Sequence, residues 1–157
     1  MPSPPFSILP LQPSHHAGMA RLMGASDPWV TLGINEARAL QTLDNQRTPG
    51  VVALGPDNAL LGFVRYEPKG FINFAGYIRT VAVAPEARGQ RLGETMVTHV
   101  ENIVFEGAHM VFLFCSTFNT RGHAFYERLG YSRVGTVDGL VVPEHGEVLY
   151  VKRRAAP

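Results

Sequence analysis

Residues 76–115 constrain the fold more than any other part of the chain. Tyr77-Ile78-Arg79-Thr80-Val81-Ala82-Val83 reads as a strand that Ala84-Pro85 brings to a stop, because proline lacks an N–H and restricts the residue before it. Glu86-Ala87-Arg88-Gly89-Gln90-Arg91 follows as a short loop. Leu92, Met96, Val100, Ile103 and Val104 then recur at helical spacing and share a face. His109-Met110-Val111-Phe112-Leu113-Phe114-Cys115 is a near-continuous apolar run, the pattern of a strand buried on both faces beside a parallel neighbour. Strand, loop, helix and strand make one right-handed crossover unit.

The flanking segments complete the layout. Phe6-Ser7-Ile8-Leu9 reads as a first strand stopped by Pro10, and Ser14 can cap a helix over Ala17–Met23, with Ala20 and Met23 inward. Asn35 can cap a second helix with Ala37, Leu40 and Leu43 on one face. Val51–Leu54 and Leu60–Tyr66 flank Gly55-Pro56-Asp57-Asn58, a strong hairpin turn, and Phe71–Ala84 holds the next strand. A helix from Thr120 to Leu129 ends at Gly130, a good C-cap, and Tyr131–Val137 and Glu147–Lys152 read as closing strands. The expected architecture is α/β (α+β): a mixed sheet of six to seven strands flanked by about four helices. It forms a single domain over 1–157 with its core at about 6–152, and residues 1–5 and 153–157 are loose ends.

Composition excludes several classes. Of 157 residues 45% are hydrophobic and 17% charged, which is globular, and the net charge of +1 offers no basic face for nucleic acid or an anionic membrane. No apolar stretch is long enough to span a bilayer, and MPSPPFSILPLQP is a poor secretory signal. One cysteine, Cys115, permits no internal disulfide, and no ligand cluster suggests a metal. His15-His16 are adjacent, share no helix face and read as surface residues. A cytoplasmic protein follows, and a homodimer is compatible with it.

The loop before the third helix is suited to a pyrophosphate. The first N–H groups of a helix lack internal partners and sit at its positive end. Gly89 and Gly93 let the backbone approach phosphates, and Arg88 and Arg91 add charge. The alternative is an ordinary strand-to-helix turn with solvated arginines. Neither a Walker spacing nor a Gly-x-Gly-x-x-Gly fingerprint is present.

Val81–Gly93 resembles the acetyl-CoA motif of the GNAT acetyltransferase superfamily, Arg/Gln-x-x-Gly-x-Gly/Ala after a strand ending in V-x-P. Arg88, Gly89, Gln90, Leu92 and Gly93 match; Arg91 stands where the family usually has its first glycine, which is tolerable if its φ stays negative. Asn119-Thr120-Arg121-Gly122-His123-Ala124-Phe125-Tyr126-Glu127-Arg128-Leu129-Gly130-Tyr131 is similar to the second signature, N-x-x-A-x-x-F-Y-E-K-L-G-F, with Gly122 in place of the usual alanine. Without the family this is a capped helix with an aromatic core stripe.

The resemblance implies two parallel strands splayed apart around acetyl-CoA, with no metal. The implied contacts are Val81, Ala82, Val83, Arg88, Gly89, Gln90, Arg91, Leu92, Gly93, Glu94, Asn119 and Tyr126. Tyr126 is implied as the acid that protonates the departing thiolate, and a small-molecule or peptide amine as the acceptor. The usual carboxylate base is missing: the strand before the loop reads Tyr77-Ile78-Arg79-Thr80-Val81, and the expected place on the next strand holds Phe114. Glu147, which shares a strand face with Leu149 and Val151, is the candidate base, and a water relay is the alternative. Trp29, Arg79 and His145 are candidate substrate contacts, each with a plain packing or solvated alternative. Cys115 near the thioester admits an acyl-cysteine route, although a buried small hydrophobe is commoner. The competing function is an acyl-CoA-binding sensor without turnover.

Overall fold

The computed structural model describes residues 5–157. The elements run β1 (Ser7–Pro10), α1 (His16–Gly24), α2 (Glu36–Asn45), β2 (Gly50–Leu54), β3 (Leu60–Phe71), β4 (Ala75–Val83), α3 (Leu92–Val104), β5 (Met110–Ser116), α4 (Thr120–Arg128), β6 (Ser132–Asp138) and β7 (Gly146–Arg153). The seven strands form one sheet in the order β1-β2-β3-β4-β5-β7-β6, antiparallel except at β4–β5. This is the expected mixed sheet with four helices. The expected loose end at residues 1–5 lies, for residues 1–4, outside the described residues. At the other end β7 runs to Arg153, and Arg154 is tied to the His109 carbonyl at 2.8 Å.

The sheet has a core on each face. On one, α3 packs Leu92, Met96, Val97, Val100 and Val104 against Val64, Ile78, Val111 and Leu113. On the other, Met19, Ala20 and Met23 of α1 and Ala39 and Leu43 of α2 cover Val52, Phe63 and Ala82. Several local expectations change here. The buried alanine of α2 is Ala39, one helical turn before Leu43, and Ala37 is exposed. Ser14 lies inside a 3-10 turn over Pro13–His15, which Gln12 caps. His16 is not a surface residue: as the first residue of α1 it is buried and its Nδ1 stands 2.7 Å from Asp44 Oδ1.

The parallel pair is short. Gly76↔Val111, Tyr77↔Phe112 and Ile78↔Leu113 pair, and there the ladder stops, although β4 continues to Val83 and β5 to Ser116. The register of β4 on β3 slips at the same level: Tyr66 faces Ile78 and Arg65 faces Thr80, leaving Arg79 as the extra residue of a bulge. A bulge bends its strand. Beyond it β4 stays with β3, while β5 pairs with β7 along its whole length, from Met110↔Arg153 to Ser116↔Glu147. The sheet therefore opens between its two halves.

β5 is buried on one face, not two. Val111, Leu113 and Cys115 face the α3 core, whereas Phe112 and Phe114 are half-buried, because the α1–α2 cluster does not reach β5. β7 behaves likewise. Its core face carries Val148 and Tyr150, so Glu147, Leu149 and Val151 share the opposite face and not the main core.

Close approach of α3 to β4 depends on Gly76, where a Cβ would stand 2.2 Å from Val104 Cγ1. Gly76→Ala should destabilise the fold by about 1–3 kcal/mol through overpacking. Denaturant unfolding checks this: Gly76→Ala/Val104→Ala should be less destabilised than the sum of the two single variants.

Candidate active site at the opening between β4 and β5

The loop from β4 to α3 hooks back on itself through two left-handed residues. Gly89 has φ 77° and Arg91 φ 59°. The expectation of a negative φ at Arg91 is thus overturned. This position needs a left-handed backbone, which explains a glycine preference and leaves Arg91 with a local conformational cost. Arg91 is the N-cap of α3, and Arg88 turns inward, its Nε donating to the Val83 carbonyl at 3.3 Å. Arg88 thus braces the end of β4, while Arg91 remains exposed beside the first N–H groups of α3. Glu94 lies in the first turn.

The two sequence motifs meet in space. A Cβ on Gly93 would lie 3.3 Å from the Phe125 ring, so α4 packs directly on the first turn of α3. Asn119 caps α4, its Oδ1 accepting from Gly122 N at 3.0 Å. Gly122 is itself explained, because a Cβ there would stand 2.6 Å from Asn119 Nδ2 and 2.8 Å from Cys115 Sγ. Tyr126 packs edge-on against Phe125 and Tyr131, with centroids 5.1 and 5.7 Å away. Burial first, and nearby Cys115 second, push its hydroxyl well above the ordinary phenol range. Burial, ahead of Glu147, pushes the Cys115 thiol up to about 12. A thiol so protonated is a poor nucleophile near neutrality, which removes support from the acyl-cysteine route.

Glu147 lies across the far half of the sheet from the loop. It is 5% exposed, and its Oε1 accepts from Ser116 Oγ at 2.8 Å. No lysine or arginine among the described residues pairs with it. Burial is the largest influence on its carboxyl and raises its pKa; Ser116 and then the histidines His145 and His123 oppose that. Ser116 stands opposite Glu147 in the β5–β7 ladder, so strand register sets this contact.

The other predicted contacts separate. Arg79, at the bulge, pairs with Glu67 at 3.1 Å and lies 5.5 Å over the Tyr77 ring. His145 meets the Phe118 ring edge-on at 4.7 Å, two residues from Glu147. Trp29 packs against the α1–α2 core, which favours its packing role.

Sequence reasoning missed three features. Ser116 is one. A second is the aromatic row Tyr77, Phe112 and Phe114, legible only as large residues alternating with Val111, Leu113 and Cys115. The third is His123, buried between Tyr150 Oη at 2.7 Å and the Ser116 carbonyl at 3.0 Å from its Nε2. A carbonyl only accepts, so Nε2 carries a proton. Among the described residues no group of three or more His, Cys, Asp or Glu gathers for a metal, and no helix is long and apolar enough to cross a membrane.

The model of the acetyltransferase (GNAT) family matches residues 20–131. No curated protein matches the chain by sequence. Among solved structures, a GNAT-family protein from Desulfovibrio desulfuricans superposes with TM-score 0.77 at 19% identity, over 94% of this chain and 98% of that one. An aminoglycoside 6'-N-acetyltransferase complexed with coenzyme A gives 0.74 at 17%, over 96% and 99%. The crystal structure of the NatC complex bound to Gag peptide and CoA contains a chain that gives 0.72 at 17%, again over 96% and 99%. These likenesses are of fold.

The state of Glu147 can be read from stability. Its folded pKa is raised, so the native state holds the proton more tightly than the unfolded chain. Its contribution is therefore intact below the unfolded value of about 4.3 and is lost as pH rises through the folded value. Glu147→Gln should melt higher than wild type at pH 7–8, with the advantage shrinking as pH falls towards 4. Calorimetric melting across that range checks the sign.

Proposed function

Because the chain belongs to the acetyltransferase (GNAT) family, we propose that it transfers an acetyl group from acetyl-CoA to the nitrogen of a small-molecule or peptide amine. The observation that carries this reading is the opening between β4 and β5, with the α3 N-terminal hook at one end and Tyr126 on the same side. The hook is suited to pyrophosphate: left-handed Gly89 and Arg91 turn the loop, and the N–H groups of Leu92, Gly93 and Glu94 have no acceptor within the helix. Arg88 holds the loop's base, Gln90 its rim, and Arg91 offers a forked donor to a phosphate.

The edge of β4 that faces β5 has no strand partner from Arg79 to Val83. Backbone groups of Val81, Ala82 and Val83 can therefore pair with an amide-bearing arm, as an added strand does. A backbone N–H at Val81 or Ala82 can donate to the oxyanion that develops during attack. Asn119 reaches the same region from the cap of α4. Coenzyme A in the aminoglycoside 6'-N-acetyltransferase structure, and CoA with a peptide in the NatC structure, are consistent with such a donor and with either kind of acceptor.

Tyr126 donates its hydroxyl to the leaving sulfur. Its raised pKa keeps the phenol protonated, and makes it a hydrogen-bond donor whose contribution grows as thiolate charge develops. Glu147, its pKa raised by burial, receives the proton of the incoming ammonium, directly or through water. The amine must be neutral to attack, so the base works before the bond forms and the acid as the carbon–sulfur bond breaks.

Release of free thiol from acetyl-CoA against a panel of amines tests the reaction; a CoA-induced thermal shift without turnover on any amine would instead favour a sensor. Gly93→Asp should abolish the rise in melting temperature that CoA produces, by setting a carboxylate against the phosphates. An unchanged shift in the folded variant removes the loop from the site. Tyr126→Phe should lower kcat by about 10²–10⁴-fold with little change in the KM for acetyl-CoA. Wild-type turnover would make Tyr126 structural.

A further inference from the structure

We propose that the acceptor is a monocationic amine carried on an aromatic body, its ammonium at Glu147 and its ring against Phe112, Phe114 and Tyr77. The proposal rests on the acetyl-transfer reading and names the substrate class for that site.

The approach side follows from the sheet. The α3 hook and Tyr126 belong to the face that α3 packs on. A nucleophile that reaches a thioester lying in the opening must come from the other face. Directly opposed residues share a face, so the ladder shows what that face carries: Glu67 and Tyr77 are opposed, Tyr77 and Phe112, Phe114 and Leu149, Ser116 and Glu147.

Two properties of this face select the ligand. The first is apolar. Phe71 stacks on Phe112 at 4.3 Å and 13°, and Tyr77 meets Phe114 edge-on at 6.3 Å and 82°. These rings are only half-buried, and the α1–α2 cluster stops short of them. Half-exposed aromatics in ordered contact, beside an opening, make a floor for a flat apolar group.

The second is charge. Arg79 is neutralised by Glu67. Glu147 has only the Ser116 hydroxyl, although it is nearly as buried as the core. A carboxylate so placed is costly unless a cation arrives or it takes a proton. Ser116 follows Phe114 on the same face of β5 and opposes Glu147, so acid and aromatic floor share one face. One unpaired acid suits one ammonium. A free amino acid would bring a carboxylate for which these ladder positions hold no unpaired cation. A polyamine or aminoglycoside would bring several cations for one acid. What fits is an arylalkyl amine.

The test uses the full chain with 2-phenylethylamine, phenylalanine and spermidine. Calorimetric titration of the CoA-saturated protein should show 2-phenylethylamine binding roughly tenfold or more tighter than the other two. If acetyl-CoA is turned over, kcat/KM should follow the same order. Phe112→Ala should weaken 2-phenylethylamine roughly tenfold to a hundredfold and leave the CoA thermal shift unchanged; Phe112→Leu should lose less, and serves if the alanine variant misfolds. Equal or tighter binding of phenylalanine or spermidine overturns the proposal, as does an unchanged affinity in both folded Phe112 variants. A Phe112→Ala variant that converts a dimer to a monomer without altering amine affinity assigns the face to a second copy and also overturns it. Acetylation confined to spermidine or amino acids sinks the acceptor class alone. Binding of 2-phenylethylamine without any thiol release sinks acetyl transfer and leaves the binding class standing.

Discussion

Only three residue pairs join the two halves of the sheet by strand pairing, and the rest of the structure depends on their being so few. Gly76, Tyr77 and Ile78 meet Val111, Phe112 and Leu113, and no ladder pair beyond them joins β4 to β5. Stopping the ladder there leaves backbone groups of β4 without strand partners. Unpaired backbone polar groups at a sheet opening need water or a ligand. The bulge at Arg79 bends β4 at the level where the ladder stops, while β5 stays paired with β7 along its other edge. Neither is catalytic in itself, yet every proposed contact with an acyl donor presupposes the gap.

The gap was legible only in part. Chain order, the crossover unit, the hairpin at Gly55–Asn58 and both helix caps at Asn35 and Asn119 follow from local chemistry, because turn and cap signals depend on a few adjacent residues. The strand order and the bulge do not, since pairing is non-local. Phe112 and Phe114 illustrate the limit. In a run of seven apolar residues, burial on both faces and burial on one look alike, and only the extent of α1–α2 decides between them. His16 shows the reverse error, a polar residue buried because a partner 28 positions away meets it.

Arg91 carries a different lesson. Sequence reasoning could see that it replaced a glycine, but not that the fold demands a left-handed φ there. A non-glycine residue in that region costs of order 1 kcal/mol, and it persists only where its surroundings over-determine it. Those surroundings are visible: Thr95 Oγ1 and Thr95 N both bond the Arg91 carbonyl, at 2.8 and 3.0 Å, and Arg88 braces the other end of the hook. Gly122 is the converse case. There a departure towards glycine relieves contacts with Cys115 and Asn119 that an alanine would violate. Each departure from the family pattern has a local steric account, and neither removes the hook or the cap.

The placement of Glu147 shows how a proposed base can come from an unexpected strand. Phe114 occupies the position on β5 where a carboxylate is sought. β7 pairs with β5 without interruption, so its first residues lie level with the end of β5, and Glu147 falls opposite Ser116, two ladder pairs beyond Phe114–Leu149. Glu147 thus stands one strand over, about 4.8 Å, and two residues further along, about 7 Å, from the Phe114 position. The displacement changes its surroundings. On β5 a carboxylate would stand between aromatic neighbours; on β7 it gains the Ser116 hydroxyl and lies near His145 at the loop entrance. Burial raises its pKa and the serine hydrogen bond opposes the rise. Register, rather than residue identity at a fixed strand position, is what sets Glu147 and Tyr126 on opposite faces of the sheet beside the same opening.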